Sequence, residues 1–216
     1  IQCRLGMIYL SDKVRNYNDK RKGKQPMIKI DDWVIEKGEK AQGKIEIIGC
    51  GMAMPATVIC GAEDGPTILI TAGIHSAEYV GIQAAMELAK EFQPEKLKGN
   101  VIIIPLVNVS GFEHRTMSMV YEDGKNLNRV FPGNPEGTAA ERIACTIVRK
   151  LFSITDYYID LHSGDGYEQL HPYVYYVGVV DEDTVEKSLH MARHIVSVVI
   201  MDMRRQVILL VKSVRK

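Results

Sequence analysis

The apolar positions of the chain alternate between two periods. Residues 67–72 (Thr-Ile-Leu-Ile-Thr-Ala) and 101–107 (Val-Ile-Ile-Ile-Pro-Leu-Val) are almost unbroken apolar runs. Such runs suit strands buried on both faces of a sheet. Pro105 places its strand at an end or an edge, because proline cannot donate to the ladder. Between the two runs, Gly73 closes the first, and 78–92 takes up helical spacing. Ile82, Met86 and Ala89 recur there at intervals of four and three, with Val80, Ala84 and Leu88 beside them.

Weaker strand signals cover 28–35, 44–48 and 56–60, and Glu63-Asp64-Gly65-Pro66 reads as a turn. After a long irregular stretch, 108–137, Thr138-Ala139-Ala140-Glu141 has the form of a capping box. The helix behind it carries Ile143, Ile147 and Leu151 on one face. Strands at 156–161 and 172–177 and a helix at 182–194 follow. Strands alternating with helices predict an α/β fold, a three-layer sandwich around a mostly parallel, mixed central sheet.

Composition narrows the classes. The 216 residues are 46% hydrophobic, enough for one full core. Lys+Arg and Asp+Glu are both 27, so no global field attracts nucleic acid or an anionic membrane. The ends differ from the middle: 1–26 holds seven Lys/Arg against two Asp, and 195–216 holds five against one. The expected division is a basic extension, 1–26, disordered or non-native, a folded domain, 27–194, and an atypical tail, 195–216. Met27 is a plausible natural start. Cys3, Cys50, Cys60 and Cys145 form no C-x-x-C pair, which predicts reduced thiols and a cytoplasmic setting. No apolar run is long enough to span a bilayer.

Three segments carry chemistry. His75-Ser76-Ala77-Glu78 sits where a buried strand gives way to a helix, the end of an open α/β sheet where sites form. Imidazole and carboxylate are both zinc ligands. Alone, a His-x-x-Glu is a weak signal, and Glu78 could equally cap the helix. His162, in Asp160-Leu161-His162-Ser163-Gly164, also ends a buried strand. Asp160 projects from the same face two residues earlier and could orient it. Together His75, Glu78 and His162 leave a fourth metal position for water, as in catalytic zinc sites. In the long loop, Arg129 offers a planar fork for a carboxylate and Asn128 a directed amide.

His75-x-x-Glu78, Asn126-Leu127-Asn128-Arg129-x-Phe131-Pro132-Gly133 and Asp160-Leu161-His162-Ser163-Gly164, in that order, resemble the zinc carboxypeptidase superfamily, and more closely its succinylglutamate desuccinylase/aspartoacylase branch. The resemblance runs from about Met27 to His194. It implies a carboxypeptidase-like fold and one Zn2+ ion on His75, Glu78 and His162. It also implies that Asn128 and Arg129 hold the carboxylate of a small-molecule substrate, and that Arg115 stabilises the oxyanion. The expected reaction is hydrolysis of an amide in an N-acyl amino acid.

The branch also carries a general-base glutamate on a strand well downstream of the third ligand. After His162 this chain has only Glu168, Glu182 and Glu186, none in that context. With the glycine- and proline-free tail, this predicts a fold incomplete at its C-terminus. Two rivals follow: a metallocarboxypeptidase acting on peptides, and an inactive metal-binding remnant.

Overall fold

The computed structural model describes residues 8–9, 27–171, 173–176, 181–194, 199–202 and 207–210. Its centre is a six-stranded mixed sheet in the order β1-β8-β6-β7-β5-β4. These strands are β1 (Ile8–Tyr9), β4 (Lys40–Glu46), β5 (Ala53–Cys60), β6 (Glu63–Ala72), β7 (Lys98–Ile104) and β8 (Tyr157–Leu161). The β7–β6–β8 core is parallel, and the flanking pairs β1–β8, β5–β7 and β4–β5 are antiparallel. A hairpin of β2 (Met27–Ile30) and β3 (Trp33–Glu36) forms a separate two-stranded sheet whose Ile28, Ile30 and Ile35 pack into the main core. A third, three-stranded sheet has β10 (Val199–Asp202) between β9 (Tyr173–Tyr176) and β11 (Val207–Leu210). The predicted extension and tail otherwise lie outside the described residues.

Alternation along β7 builds the layers. Ile102 and Ile104 face a cluster with Leu69, Val58 and Tyr158, covered by Ile143, Ile147 and Leu151. Val101 and Ile103 face the opposite cluster with Ile70, Ala72 and Leu161, covered by Ile82, Ala85 and Ala89. Each face of the sheet therefore buries one helical layer. The first is α3 (Ala139–Thr146), which widens into a π turn over Ile147–Leu151; the second is α1 (Tyr79–Glu91). The Glu141 carboxylate reaches back to the Thr138 N–H at 2.8 Å, as the capping box predicts.

Several expectations need correction. The segment 28–35 is a hairpin folded at Asp31, which takes a left-handed φ of 54°. Glu63-Asp64-Gly65-Pro66 is the start of β6 and not a turn. Glu63 pairs with Lys98, and the register shifts before Thr67. Glycine is needed at that bulge, because a Cβ on Gly65 would stand 2.7 Å from the Gly99 nitrogen. On α1 the buried stripe is Gly81, Ile82, Ala85 and Ala89, while Met86 is 42% exposed. The helix rests on its small residues: a Cβ on Gly81 would lie 2.9 Å from the Leu161 carbonyl oxygen. The stretch after β7 contains α2 (Val109–His114), whose Asn108 N-cap accepts from the Gly111 N–H at 3.0 Å. Among the described residues Cys50, Cys60 and Cys145 are in no disulfide. No described helix is long and apolar enough to cross a membrane.

Candidate metal centre

The parallel pair β6–β8 aligns Ala72 with Leu161. The two loops leaving their carboxyl ends therefore start side by side. Gly73, with φ +65°, turns the first loop away from the sheet. From it His75 and Glu78 approach, and from the second comes His162. Their donor atoms all lie within 4.8 Å of one another, so the three could hold a metal ion.

Glu78 is the hub. It sits at the N-cap of α1, yet its side chain makes no cap hydrogen bond. The carboxylate turns inward instead. Oε1 lies 2.8 Å from His75 Nδ1, Oε2 lies 2.7 Å from His162 Nδ1, and Oε2 accepts from the Ser163 N–H at 2.9 Å. Burial opposes its charge, but the bonds from His162 and His75 outweigh this and lower its pKa to about 2.

The second nitrogen of each ring is also engaged. His162 Nε2 meets Asp160 Oδ2 at 2.7 Å, and His75 Nε2 meets Asn126 Oδ1 at 3.2 Å. Asp160 is anchored in turn by the Thr71 hydroxyl at 2.6 Å, and Thr71 Oγ1 lies 2.8 Å from the Tyr158 hydroxyl. Burial disfavours the His162 imidazolium, but Asp160 and then Glu78 overcome it and raise its pKa to about 10.

The donor chemistry fits a divalent cation. A neutral imidazole supplies one N–H. Both rings face an oxygen acceptor at each nitrogen, so two neutral rings cannot satisfy all four contacts. Extra protons or a metal ion must supply the missing positive charge. With Nε2 of each ring committed to Asn126 or Asp160, both present Nδ1 to Glu78. That is the arrangement in which outer partners fix a metal-binding histidine.

These residues open on a cleft of about 320 Å³ lined also by Asn128, Arg129, Ser163, Asp165, Glu168, Leu170, Tyr173 and Tyr175. Asn126 caps the 3-10 turn Leu127–Arg129, accepting from the Asn128 N–H at 3.0 Å. This turn carries Asn128 and Arg129 to the cleft. Arg115 is not among the lining residues. It ends α2 with φ 59°, its guanidinium carbon 5.8 Å from the Phe112 ring centre. The loop beyond it is pinned near the centre, because Ser76 donates to the Met117 carbonyl from N at 2.8 Å and from Oγ at 2.6 Å. Of the late glutamates, Glu168 lines the cleft. Glu186, on α4 (Glu182–Arg193), lines a separate cavity with Pro66 and Tyr157, at the opposite end of the strands.

Sequence reasoning overlooked Asn126, Thr71, Asp165 and the two tyrosines. Thr71 had a readable signal: a hydroxyl inside an apolar run, paired in register with Asp160. Asn126 lay inside a motif already singled out.

Comparison with known proteins agrees with this geometry. Over 132 residues the chain is 41% identical to the N-alpha-acetyl-L-2,4-diaminobutyric acid deacetylase of Halomonas elongata, covering 60% of this chain and 35% of that protein. A succinylglutamate desuccinylase from a Silicibacter species superposes with a TM-score of 0.69 at 26% identity, covering 83% of this chain and 56% of the other. The product-bound ectoine utilization protein EutE (DoeB) from Ruegeria pomeroyi gives 0.63 at 30% identity, covering 76% and 51%. The chain thus spans about a third of the curated relative and about half of the solved ones. Residues 64–207 match the succinylglutamate desuccinylase/aspartoacylase catalytic domain. That match takes in the whole cleft from His75 to Tyr175, and the chain belongs to the succinylglutamate desuccinylase/aspartoacylase family.

Proposed function

We propose that the protein is a zinc-dependent deacylase that hydrolyses the amide of a small N-acyl amino acid. The observation that carries this reading is the convergence of His75, Glu78 and His162 within 4.8 Å in a cleft that also contains Asn128 and Arg129. The curated relative is named as a deacetylase of an N-acetyl amino acid, which supports the substrate class.

In this reading His75 Nδ1, Glu78 and His162 Nδ1 hold one Zn2+, and Asp160 fixes the tautomer of His162. A bound zinc ion would supply Lewis acidity and lower the pKa of a water molecule. The chain's own groups do the rest. Arg129 and Asn128 clamp the substrate carboxylate and so set the distance of the scissile amide from the centre. Arg115, one loop away, is assigned to the developing oxyanion. The Ser76–Met117 bonds hold that loop against the His75 segment.

The test is metal analysis followed by hydrolysis assays on N-acetyl amino acids and on short peptides. About one zinc per chain and turnover of the acyl amino acids are expected. Turnover of peptides alone would favour a metallocarboxypeptidase. One zinc per chain with neither substrate consumed would select a metal-binding protein without turnover instead.

A further inference from the structure

The cleft has one apolar corner. Leu170, Tyr173 and Tyr175 form it, while the other lining residues are polar or charged. Alternation along β9 sets the two tyrosines on the cleft face. Val174 and Tyr176 take the opposite face, where they are buried with Ala192 of α4. The strand is thus anchored by its back, and the half-buried rings of Tyr173 and Tyr175 are presented together. They meet edge to face, with centroids 5.0 Å apart and planes at 72°. Aromatic rings prefer this contact, and a pair held in it can take a third apolar or aromatic group in the same way.

The corner adjoins the metal centre. Burial pushes the Tyr173 phenol up, and Tyr175 and then the Glu78 carboxylate add to the rise. Glu78 therefore lies within electrostatic reach of this ring. The carboxylate clamp comes from another part of the chain: His75 Nε2 meets Asn126 Oδ1, and Asn126 caps the turn that carries Asn128 and Arg129. Among the described lining residues Arg129 is the one permanent cation. With the carboxylate of the amino-acid half on Arg129, an acyl group bearing a second carboxylate finds no further fixed positive charge, and an apolar corner would have to desolvate it at a cost.

We infer that Tyr173 and Tyr175, with Leu170, form an acyl subsite that selects uncharged acyl groups with an aromatic body over both acetyl and dicarboxylic acyl groups such as succinyl. The inference rests on the deacylase reading and names the acyl class taken by that same cleft. The amide carbonyl lies at the metal centre, the amino-acid half runs to Arg129, and the acyl tail packs on the two rings. The volume of about 320 Å³ is that of a small-molecule site.

The experiment uses the full chain loaded with zinc. Hydrolysis of N-phenylacetyl-L-alanine is compared with that of N-acetyl-L-alanine and N-succinyl-L-alanine. All three present a carbonyl on an alkyl carbon, so the tail is the main difference between them. Binding of the same intact compounds is measured by calorimetry in parallel, so that an inactive protein still gives an answer. The phenylacetyl compound is expected to exceed the acetyl compound by about two- to tenfold in kcat/KM, the size of one aromatic contact, with the succinyl compound the poorest. Tyr173→Leu and Tyr175→Leu should bring the phenylacetyl-to-acetyl ratio toward one, chiefly through KM or the binding constant. Tyr173→Phe and Tyr175→Phe keep the rings and should keep the ratio. Acetyl or succinyl handled as well as phenylacetyl by the wild type, or leucine variants that lower all three compounds in proportion, overturns the inference. Failure to hydrolyse any acyl amino acid defeats the parent reading instead, and the binding ratios of the wild type and the leucine variants then decide the role of the tyrosines.

Discussion

The Ser163 N–H donates to Glu78 Oε2 at 2.9 Å, tying the loop after β8 to the first residue of the α1 cap. The two segments of the candidate metal centre are therefore joined by backbone as well as by side chains. The Ser163 N–H and the two rings hold the carboxylate in place. Glu78→Gln keeps the shape and removes the charge. It should reduce zinc binding by at least about a hundredfold, because a neutral amide is a poor zinc ligand, while far-UV circular dichroism stays unchanged. Stoichiometric zinc in the variant would contradict the assignment.

Asp160 touches His162 and Thr71, and its carboxylate is buried. Asp160→Asn should weaken zinc affinity by about 10–100-fold, the usual cost of losing the partner behind a histidine ligand. Competition with a chromophoric chelator measures this. An unchanged affinity would show that the His162–Asp160 bond plays no part in metal binding.

The metal-free protein should have a defined pH window. His162 is raised to about 10, so its contribution is complete below its unfolded value near ~6.5 and is lost as pH rises toward 10. Glu78 is lowered to about 2, so its contribution is complete above ~4.5 and is lost as pH falls toward 2. Thermal melts in chelator should show the cluster's contribution greatest between about pH 4.5 and 6.5, with His162→Gln flattening the alkaline limb. A wild-type Tm that climbs steadily from pH 7 to about 9.5 would refute this linkage.

Gly81 bears on both stability and site. An added Cβ would meet the Leu161 carbonyl oxygen at 2.9 Å, one residue before His162. Gly81→Ala should cost about 1–3 kcal/mol by overpacking and should weaken zinc binding, since α1 and β8 must separate. Ala85→Gly, on the same buried stripe, removes volume without that clash. It should lose stability while retaining zinc, read from denaturant melts and metal content.

Arg129 lines the cleft from an exposed position on a 3-10 turn. Under the deacylase reading, Arg129→Ala should raise KM by about tenfold or more with a smaller change in kcat, and Arg129→Lys should recover only part, because an ammonium cannot make the bidentate contact. An equal fall in kcat with KM unchanged would assign Arg129 to the chemistry instead.

The sequence was most legible where one residue type does one job. The apolar runs at 67–72 and 101–107 marked the inner strands because burial on both faces leaves no polar alternative. His75, Glu78 and His162 were legible because strand ends and ligand chemistry coincide. The α1 stripe was misread because apolar counting favours Met86 over Gly81, whereas close helix–sheet approach favours the absent side chain. The bulge at Glu63–Pro66 was misread for a related reason: Gly-Pro marks a turn locally, but pairing with Lys98 and the contact with Gly99 decide its conformation. Asp165 gave no signal, since an aspartate in a Gly-Asp-Gly loop resembles any solvated turn until its surroundings are seen.

The in-register alignment of Ala72 with Leu161 makes the ligand cluster a reporter of how the sheet was assembled. Sliding β8 by one residue along β6 would move His162 about 3.3 Å and turn it to the other side of the pleat. A mispaired chain could keep its strands and much of its burial, yet it would be unable to gather the two imidazoles around one carboxylate. Under the zinc reading, metal retention after refolding therefore measures correct strand registry, which bulk spectroscopy of the same sample would not distinguish.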